Sequence, residues 1–508
     1  MKKILAFLPN TFADNYIVIL DEIQKKLDEG HEVTLISCDA GIRHCDYNIT
    51  GNCFICNACC HCLKQSIKFL KGNYKVLKIE DFITEDDNFA IKNINLGFKD
   101  LNNLKKFEYN NYDIGYAVLS TYIDFTRNLN PKFTSKFNNF IKYLFIDSMT
   151  IYNAYEKVIE KINPENILVY NGRLHTTKPA LVIANRKGIK IDIIEVIGGH
   201  GDKKIEKVKY ENSLPHSINY NSDLIKTIWD NADKIEREII ANEFFIRRRQ
   251  GAPAADRSYT KNQTSGRLPV NFDSEKTNIA IFNSSNDEFA SIGPEWKWDI
   301  FGGDQQIAIE KIADMFLDND DIHIYLRVHP NLKNVKYKYH NDYYNLHKRY
   351  SNLTVIEATS KINSYSLLDA CAVIVTFGST IGVEATYWGK PSILIGKSMY
   401  MNLDVTYNPI SENEFKDLVL NKRLIPKDKE SALKYGNYLY GRKGEILQHF
   451  DSNLHRKFPR FINQNLYLYN LDKQKRITSA VILNFLYFTT ARLLKNIVLH
   501  RRIPREGN

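Results

Sequence analysis

Leu326-Arg327-Val328-His329-Pro330-Asn331 and, further along, Val373-Ile374-Val375-Thr376-Phe377-Gly378-Ser379-Thr380-Ile381-Gly382-Val383-Glu384-Ala385 decide how this chain is read. Each segment reads as a buried strand that stops abruptly at polar residues, and in an open parallel sheet the strand ends line the ligand crevice. The second segment sets a glycine and two hydroxyls at the mouth of a helix. Small side chains, backbone N–H groups and the positive end of a helix dipole there make a seat for phosphate. Gly378 lets the backbone approach a ligand closely. Ser379 and Thr380 either cap the helix or hold a phosphate oxygen. Glu384, one turn past Thr380 on the same face, either accepts both ribose hydroxyls of a nucleotide or is simply solvated. Arg327 and His329 share one face of the earlier strand. The imidazole can donate to a phosphate, Pro330 fixes the turn, and Arg327 binds a diphosphate or pairs with an acid.

Working outward, the same alternation of strand and helix surrounds both segments. Strands are expected at 278–282, 323–328, 353–357, 372–377 and 392–396, with helices at 305–316, 342–349, 364–370 and 380–388. That is a doubly wound parallel sheet. Asn283-Ser284-Ser285-Asn286-Asp287-Glu288 follows its first strand. Ser284 and Ser285 there can bind phosphate and Asp287 or Glu288 sugar hydroxyls, unless the stretch is an ordinary Asx-rich turn. The N-terminal half opens in the same way, with strand 3–8, helix 17–27 and strand 32–37, and returns to it with strand 167–170, helix 178–187 and strand 190–196. No G-x-G-x-x-G fingerprint is present, which argues against a dinucleotide site. The polar stretch 251–269 reads as a linker.

The chain has 508 residues, too many for one core. Hydrophobic residues are 44%, which excludes wholesale disorder, and the formal charge of +10 suits acidic partners such as nucleotide sugars, anionic glycans or lipid headgroups. A basic charge alone is weak support for nucleic acid, and no nucleic-acid motif or basic-aromatic stripe accompanies it. No apolar run approaches the roughly 20 residues that span a bilayer. The start, Met1 to Leu8, reads as a strand rather than a signal peptide, so a cytoplasmic location is expected.

Arg-Val-His-Pro-Asn at 327–331, Phe-Gly-Ser-Thr-Ile-Gly-Val-Glu-Ala at 377–385 and Gly389-Lys390-Pro391 together resemble the capsule polysaccharide biosynthesis glycosyltransferases, which include bacterial Kdo transferases and, more distantly, polysialyltransferases. The resemblance covers about residues 278–396. It implies a GT-B fold, α/β, with two Rossmann-like doubly wound domains facing a cleft, and chemistry that needs no metal or other cofactor. The expected organisation is an acceptor-side domain over 1–250 with a cysteine-rich insertion, a nucleotide-sugar-binding domain over 270–425, and a helical tail over 426–508. His329 and Pro330 are then expected at the donor phosphates, Ser379 and Thr380 gripping phosphate, and Glu384 on the sugar of the nucleotide. Glycerol-phosphate polymerases of the wider family favour Asp-Tyr-Ser-Ser where this chain has Phe-Gly-Ser-Thr, so sugar transfer is the expected reaction, with a CMP-linked acidic sugar as the donor suggested by analogy. A nucleotide-sugar 2-epimerase on the same fold is the alternative.

An inverting transferase needs a base to deprotonate the acceptor hydroxyl. Glu195, Asp14 and His329 are the candidates, with His200, Asp202, Glu211 and His216 nearby in sequence. Asn171 and Arg173, in an Asn-Gly-Arg turn after a strand, can hold an anionic acceptor. Seven of the eight cysteines lie between Cys38 and Cys62. Their spacing predicts a structural zinc on Cys38, Cys45, Cys53 and Cys56, with His44 and His61 as spare ligands; an iron–sulfur site and metal-free thiols are the other readings. Residues 477–498 are apolar and aromatic between basic flanks, which fits either a helix lying on the inner face of the plasma membrane, near a lipid-linked glycan acceptor, or a helix packed across the fold.

Overall fold

Ile4 to Leu8 are buried without a break, and they form strand β1 (Lys3–Leu8) in the interior of a sheet. The computed structural model describes residues 1–10, 14–198, 205–252, 254, 259–335 and 342–451, with the short pieces 469–470 and 475–476. Around β1 lie β2 (Glu32–Ser37), β3 (Tyr74–Lys78), β4 (Asn166–Tyr170), β5 (Lys190–Gly198), β6 (Ile205–Glu211) and, from far along the chain, β12 (Glu445–Ile446). Their order is β12-β6-β5-β4-β1-β2-β3. The strands from β3 to β5 are parallel, and β6 and β12 run antiparallel at the edge. Alternate residues face opposite ways: Ile4, Ala6 and Leu8 pack with the helix Asp14–Asp28. Phe7 stacks on Tyr155 of the helix Ser135–Ile162 on the other face.

The second sheet is built from β7 (Thr277–Phe282), β8 (Ile322–Arg327), β9 (Leu353–Ile356), β10 (Val373–Thr376) and β11 (Ser392–Leu394), all parallel in the order β11-β10-β7-β8-β9. Both faces are covered, as a parallel sheet requires. Ile279, Ile281, Ile324, Leu326 and Val375 belong to one core, and Ala280, Phe282, Tyr325 and Ile374 to the other. The expected α/β class with doubly wound sheets is what both halves adopt.

The division between the halves differs from the expected one. One unit comprises residues 1–215 with the segment from Lys443 onward, and the other comprises His216–Arg442. Helices Ile218–Asn231 and Lys234–Arg249 therefore belong with the second sheet. Ile225, Phe244 and Phe245 share a core with Val383, Tyr387, Tyr400, Tyr435 and Tyr438, the last two from the helix Lys429–Gly441. Apolar area decides this membership, and the polar stretch after residue 250 does not.

Two elements were not legible in the sequence. The latter part of the cysteine-rich insertion is helical, Cys53–Ser66. The segment after β5 is the strand β6. Its pattern was masked by Lys207, which is 2% exposed and lies 2.9 Å from Asp21 and 2.8 Å from Glu22. The other oxygen of Asp21 accepts three successive backbone amides, from Gln448, His449 and Phe450, at 2.9, 2.7 and 3.2 Å. A buried carboxylate with a cation and three N–H donors is well compensated, and it pins the returning segment to the first unit. The apolar stretch 477–498 lies outside the described residues. Among the described residues no helix is long and apolar enough to cross a membrane.

Candidate functional site

The chain leaves β7 towards β8 and β9 on one side, then crosses to β10 and β11 on the other. The crevice at the carboxyl ends of β7 and β10 is thus a topological switch point, where open α/β sheets bind ligands. Three loops meet there: Asn283–Ser285 after β7, Val328–Asn331 after β8, and Phe377–Thr380 after β10. They are joined to one another by hydrogen bonds. The Asn283 Oδ1 accepts the His329 amide at 2.7 Å, and the Asn331 side-chain amide donates to Ser285 Oγ at 3.1 Å. Ser285 Oγ donates to Asp287 at 2.7 Å. Ser284 is buried, donating to the Phe377 carbonyl at 3.4 Å and accepting from Gln305 at 2.7 Å. The side chain of Glu288 lies outside the described set.

His329 Nδ1 accepts the Asn331 amide at 3.2 Å. An accepting Nδ1 puts the proton of a neutral ring on Nε2, so the ring can donate from that edge. Pro330 opens the short turn Pro330–Asn334 that places Asn331 for this bond. Gly378 has φ 122°, and a Cβ there would sit 2.6 Å from the Lys397 carbonyl oxygen; only glycine fits.

Other expectations at this crevice are corrected. Arg327 does not face a ligand: it is 2% exposed, and its guanidinium donates to the Glu357 and Ser360 carbonyls at 2.6 and 3.2 Å. The backbone N–H groups of Gly378 and Ser379 are already taken by Thr376 Oγ1, at 3.3 and 3.0 Å. Glu384, 1% exposed, is neither solvated nor open to ribose. Its carboxylate accepts from Arg248 Nε at 3.0 Å, from Thr380 Oγ1 at 3.1 Å and from the Tyr365 hydroxyl. Arg248 also donates to Thr380 Oγ1 at 2.9 Å. The Glu384 charge and the burial around it hold the Tyr365 hydroxyl far above its ordinary pKa, burial being the larger cause. Arg248, missed in the sequence, thus braces the Ser379–Thr380 turn from helix Lys234–Arg249. Among the described residues, Ser379 Oγ makes a long contact, 3.5 Å, with the Ile381 amide.

The first unit has its own switch point between β1 and β4, since β2 and β3 lie on one side of β1 and β4 on the other. Asn171 and Gly172, with φ of 61° and 72°, turn the chain sharply after β4. The turn brings Asn171 Nδ2 to 2.6 Å from Glu195 Oε1 on β5. Withdrawal from water pushes the Glu195 carboxyl up to about 7, against the pull of Asn171, Tyr170 and Arg173. Arg173 itself pairs with Asp124 at 3.4 Å. Two groups the sequence did not single out stand close by. Asp46, raised to about 6 by burial, accepts from Thr176 at 3.0 Å and Asn10 at 3.1 Å. His175, lowered to about 4 by burial, contacts Thr121 Oγ1 at 2.8 Å and the His44 carbonyl at 2.7 Å.

Of the remaining candidates, Asp14 is the first residue of its helix and its side chain lies outside the described set, as do His200 and Asp202. Glu211 pairs with Lys190 at 2.8 Å, and His216 belongs to the second unit, where its carbonyl accepts from Trp296. Cys38, Cys45, Cys56, Cys59 and Cys60 line one cavity; Cys53 is exposed and does not, which separates it from the expected metal set. Of the spare ligands, His44 is engaged by Asp147 at 2.9 Å.

Residues 300–423 match the family model of the capsule polysaccharide biosynthesis protein. The matched segment therefore contains two of the three loops at the second crevice, with His329, Gly378, Ser379 and Glu384. Comparison with curated proteins gives no significant match. Among solved structures, the chain is similar to the Thermosulfurimonas dismutans KpsC beta Kdo 2,4 transferase at 14% identity, over 64% of this chain and 87% of that one, with a TM-score of 0.33. The KpsC beta Kdo 2,7 transferase of the same organism gives 13% identity over 66% and 88%, with a TM-score of 0.30. The UDP-GlcNAc 2-epimerase of Neisseria meningitidis, bound to UDP-GlcNAc, gives 12% identity over 86% and 97%, with a TM-score of 0.28.

Proposed function

We propose that the protein is a glycosyltransferase of surface-polysaccharide synthesis, moving a sugar from a nucleotide-activated donor to a hydroxyl of a glycan acceptor. The observation that carries this reading is the switch-point crevice of the second sheet, two of whose three loops fall in the capsule-synthesis segment. In this reading the second unit holds the donor. His329 donates from Nε2 to a phosphate oxygen of the leaving nucleotide, Ser379 Oγ adds a second donor, and Gly378 keeps the backbone clear of the diphosphate. Glu384 acts one step back, holding Thr380 and Arg248 in place.

The first unit supplies the acceptor chemistry. A carboxyl that titrates near 7 is matched to general-base work at neutral pH, and Glu195 is that group. It takes the proton of the attacking hydroxyl, Asn171 fixes its orientation, and Arg173 suits an anionic acceptor. The reaction as proposed uses no metal.

The test is a screen of CMP-, UDP- and GDP-sugars for thermal stabilisation, since a ligand bound by the native state raises the melting temperature by mass action. It is followed by assay of the stabilising donor with glycan acceptors. The expected result is nucleotide release that depends on the acceptor. Conversion of donor alone into an isomeric nucleotide sugar would replace this reading with the epimerase one, and no stabilisation by any nucleotide sugar would reject both.

A further inference from the structure

A leaving phosphate carries negative charge, and neutral donors such as His329 and Ser379 do not balance it. Two arginines of the second unit that stand near the crevice are already engaged. Arg327 donates to the Glu357 and Ser360 carbonyls, and Arg248 to Glu384 and Thr380.

The segment after β11 brings a further cation. Its backbone is clamped onto the 377–380 turn. The Ile395 amide donates to the Thr376 carbonyl at 2.9 Å, which carries the pairing of β10 with β11 one residue further. A Cβ on Gly396 would meet the Phe377 carbonyl oxygen at 2.6 Å, and the Lys397 carbonyl lies against Gly378 in the same way. The hydroxyl of Tyr400, a fully buried residue, donates to the Ser379 carbonyl at 2.7 Å. The Lys397 backbone is therefore fixed beside the Gly378–Ser379 turn, and none of these contacts uses its side chain. Lys397 is partly buried, and among the described residues its ammonium has no hydrogen bond, ion pair or ring contact. Other lysines of the matched segment stand differently. Lys390 donates to the Cys371 carbonyl at 3.1 Å, and Lys333, in the same turn as Asn331, is exposed. An ammonium on a flexible four-carbon stem, with no acid beside it, is a point charge that can follow a phosphate oxygen.

We propose that Lys397 is the cation of the donor site, its ammonium pairing with a phosphate oxygen of the departing nucleotide. This rests on the donor reading of the crevice given above. In the transfer, the bond from the anomeric carbon of the sugar to the phosphate oxygen breaks and its electron pair stays on that oxygen. The acceptor oxygen bonds to the carbon, and its proton goes to the base. The phosphate gains one negative charge, which Lys397 offsets without giving up a proton. Because the pairing strengthens as the bond breaks, it lowers the barrier as well as holding the donor.

The test titrates the full chain with CMP, UDP and GDP at low and high salt, for wild type, Lys397→Met, Lys397→Arg and Lys333→Met. At least one nucleotide is expected to bind wild type, and to bind Lys397→Met about 10–100-fold more weakly. Wild-type affinity falls as salt rises, and that of Lys397→Met falls less. Lys397→Arg keeps more of the affinity than Lys397→Met does, and Lys333→Met keeps all of it. Without nucleotide, wild type and Lys397→Met melt together, because the side chain braces nothing; Lys397→Gln is the second charge-removing variant should the first fail to fold. Equal affinity and salt dependence in the variants without charge, or a loss carried by Lys333→Met instead, would overturn the assignment and leave the donor crevice standing. Failure of wild type to bind any of the three nucleotides would overturn the donor reading itself, and this assignment with it.

Discussion

At the crevice of the second sheet stand hydroxyls, amides, the His329 imidazole and the carboxylates of Asp287 and Glu384, most of them paired with each other: Ser284 with Gln305, Asn331 with Ser285, Ser285 with Asp287, and Glu384 with Arg248, Thr380 and Tyr365. At the matching crevice of the first sheet stand groups that burial has moved off their ordinary pKa, Glu195 up to about 7, Asp46 up to about 6 and His175 down to about 4. One doubly wound plan thus carries two different chemistries. The second crevice is braced in shape by these bonds, as suits the leaving-group role proposed for it. In the first, Glu195 and Asp46 change protonation near neutrality, as suits the acceptor chemistry proposed for it, while His175 stays neutral there.

The sharpest way to break this contrast is at Glu195. Replacing it with Gln keeps a partner for Asn171 and removes the proposed base, so kcat is expected to fall about 10²–10⁴-fold. The sign of the pH dependence follows from the raised pKa: in the proposed reaction the carboxylate is the working form, so wild-type rate is expected to rise with pH through about 7 and then level, and Glu195→Gln to lose that rise. An unchanged pH–rate profile in this variant would remove proton transfer from the first crevice.

Next in size is Arg248→Ala, which leaves Glu384 charged, buried and short of its cation. A cost of about 3–5 kcal/mol is expected, read as a lower denaturation midpoint, together with weaker donor binding. The acidic limb of the pH profile should stay where it is, since the proposal gives the two crevices separate duties. Gly378→Ala forces a Cβ against the Lys397 carbonyl oxygen at positive φ. About 1–3 kcal/mol of strain is expected, with KM for the donor rising more than kcat falls. The smallest change is Asn171→Ala. It removes a donor that favours the charged carboxylate, so the rise in rate moves to higher pH while the plateau is largely kept; a profile moved to lower pH would contradict the assigned hydrogen bond.

Much of this architecture was visible in the sequence because parallel strands write themselves as apolar runs. All five strands of the second sheet fall within two residues of where Asn278–Phe282 and its successors placed them, and the loops that follow them are the ones that meet. What stayed hidden were pairings over long separations. Arg248 and Glu384 are 136 residues apart and nothing local to either announces the other, so Glu384 read as a ribose anchor and helix Lys234–Arg249 as part of the wrong unit. Arg327 was undecidable for the same reason, since its partners are main-chain carbonyls of a neighbouring loop. Lys207 concealed a strand by carrying a charge into the core, where Asp21 and Glu22 neutralise it. The cysteines were countable from the start, but only the turn of the helix distinguishes Cys53 from Cys56.

The carboxylate of Asp21 has a consequence for synthesis. It waits, with Glu22 and Lys207, for amides that the ribosome makes more than four hundred residues later. Domains ordinarily mature in the order in which they emerge. Here the amino-terminal half gains its outermost strand, β12, only after the whole of the other half has been translated, so the nascent chain carries an open sheet edge and an unsealed acidic niche through most of its production.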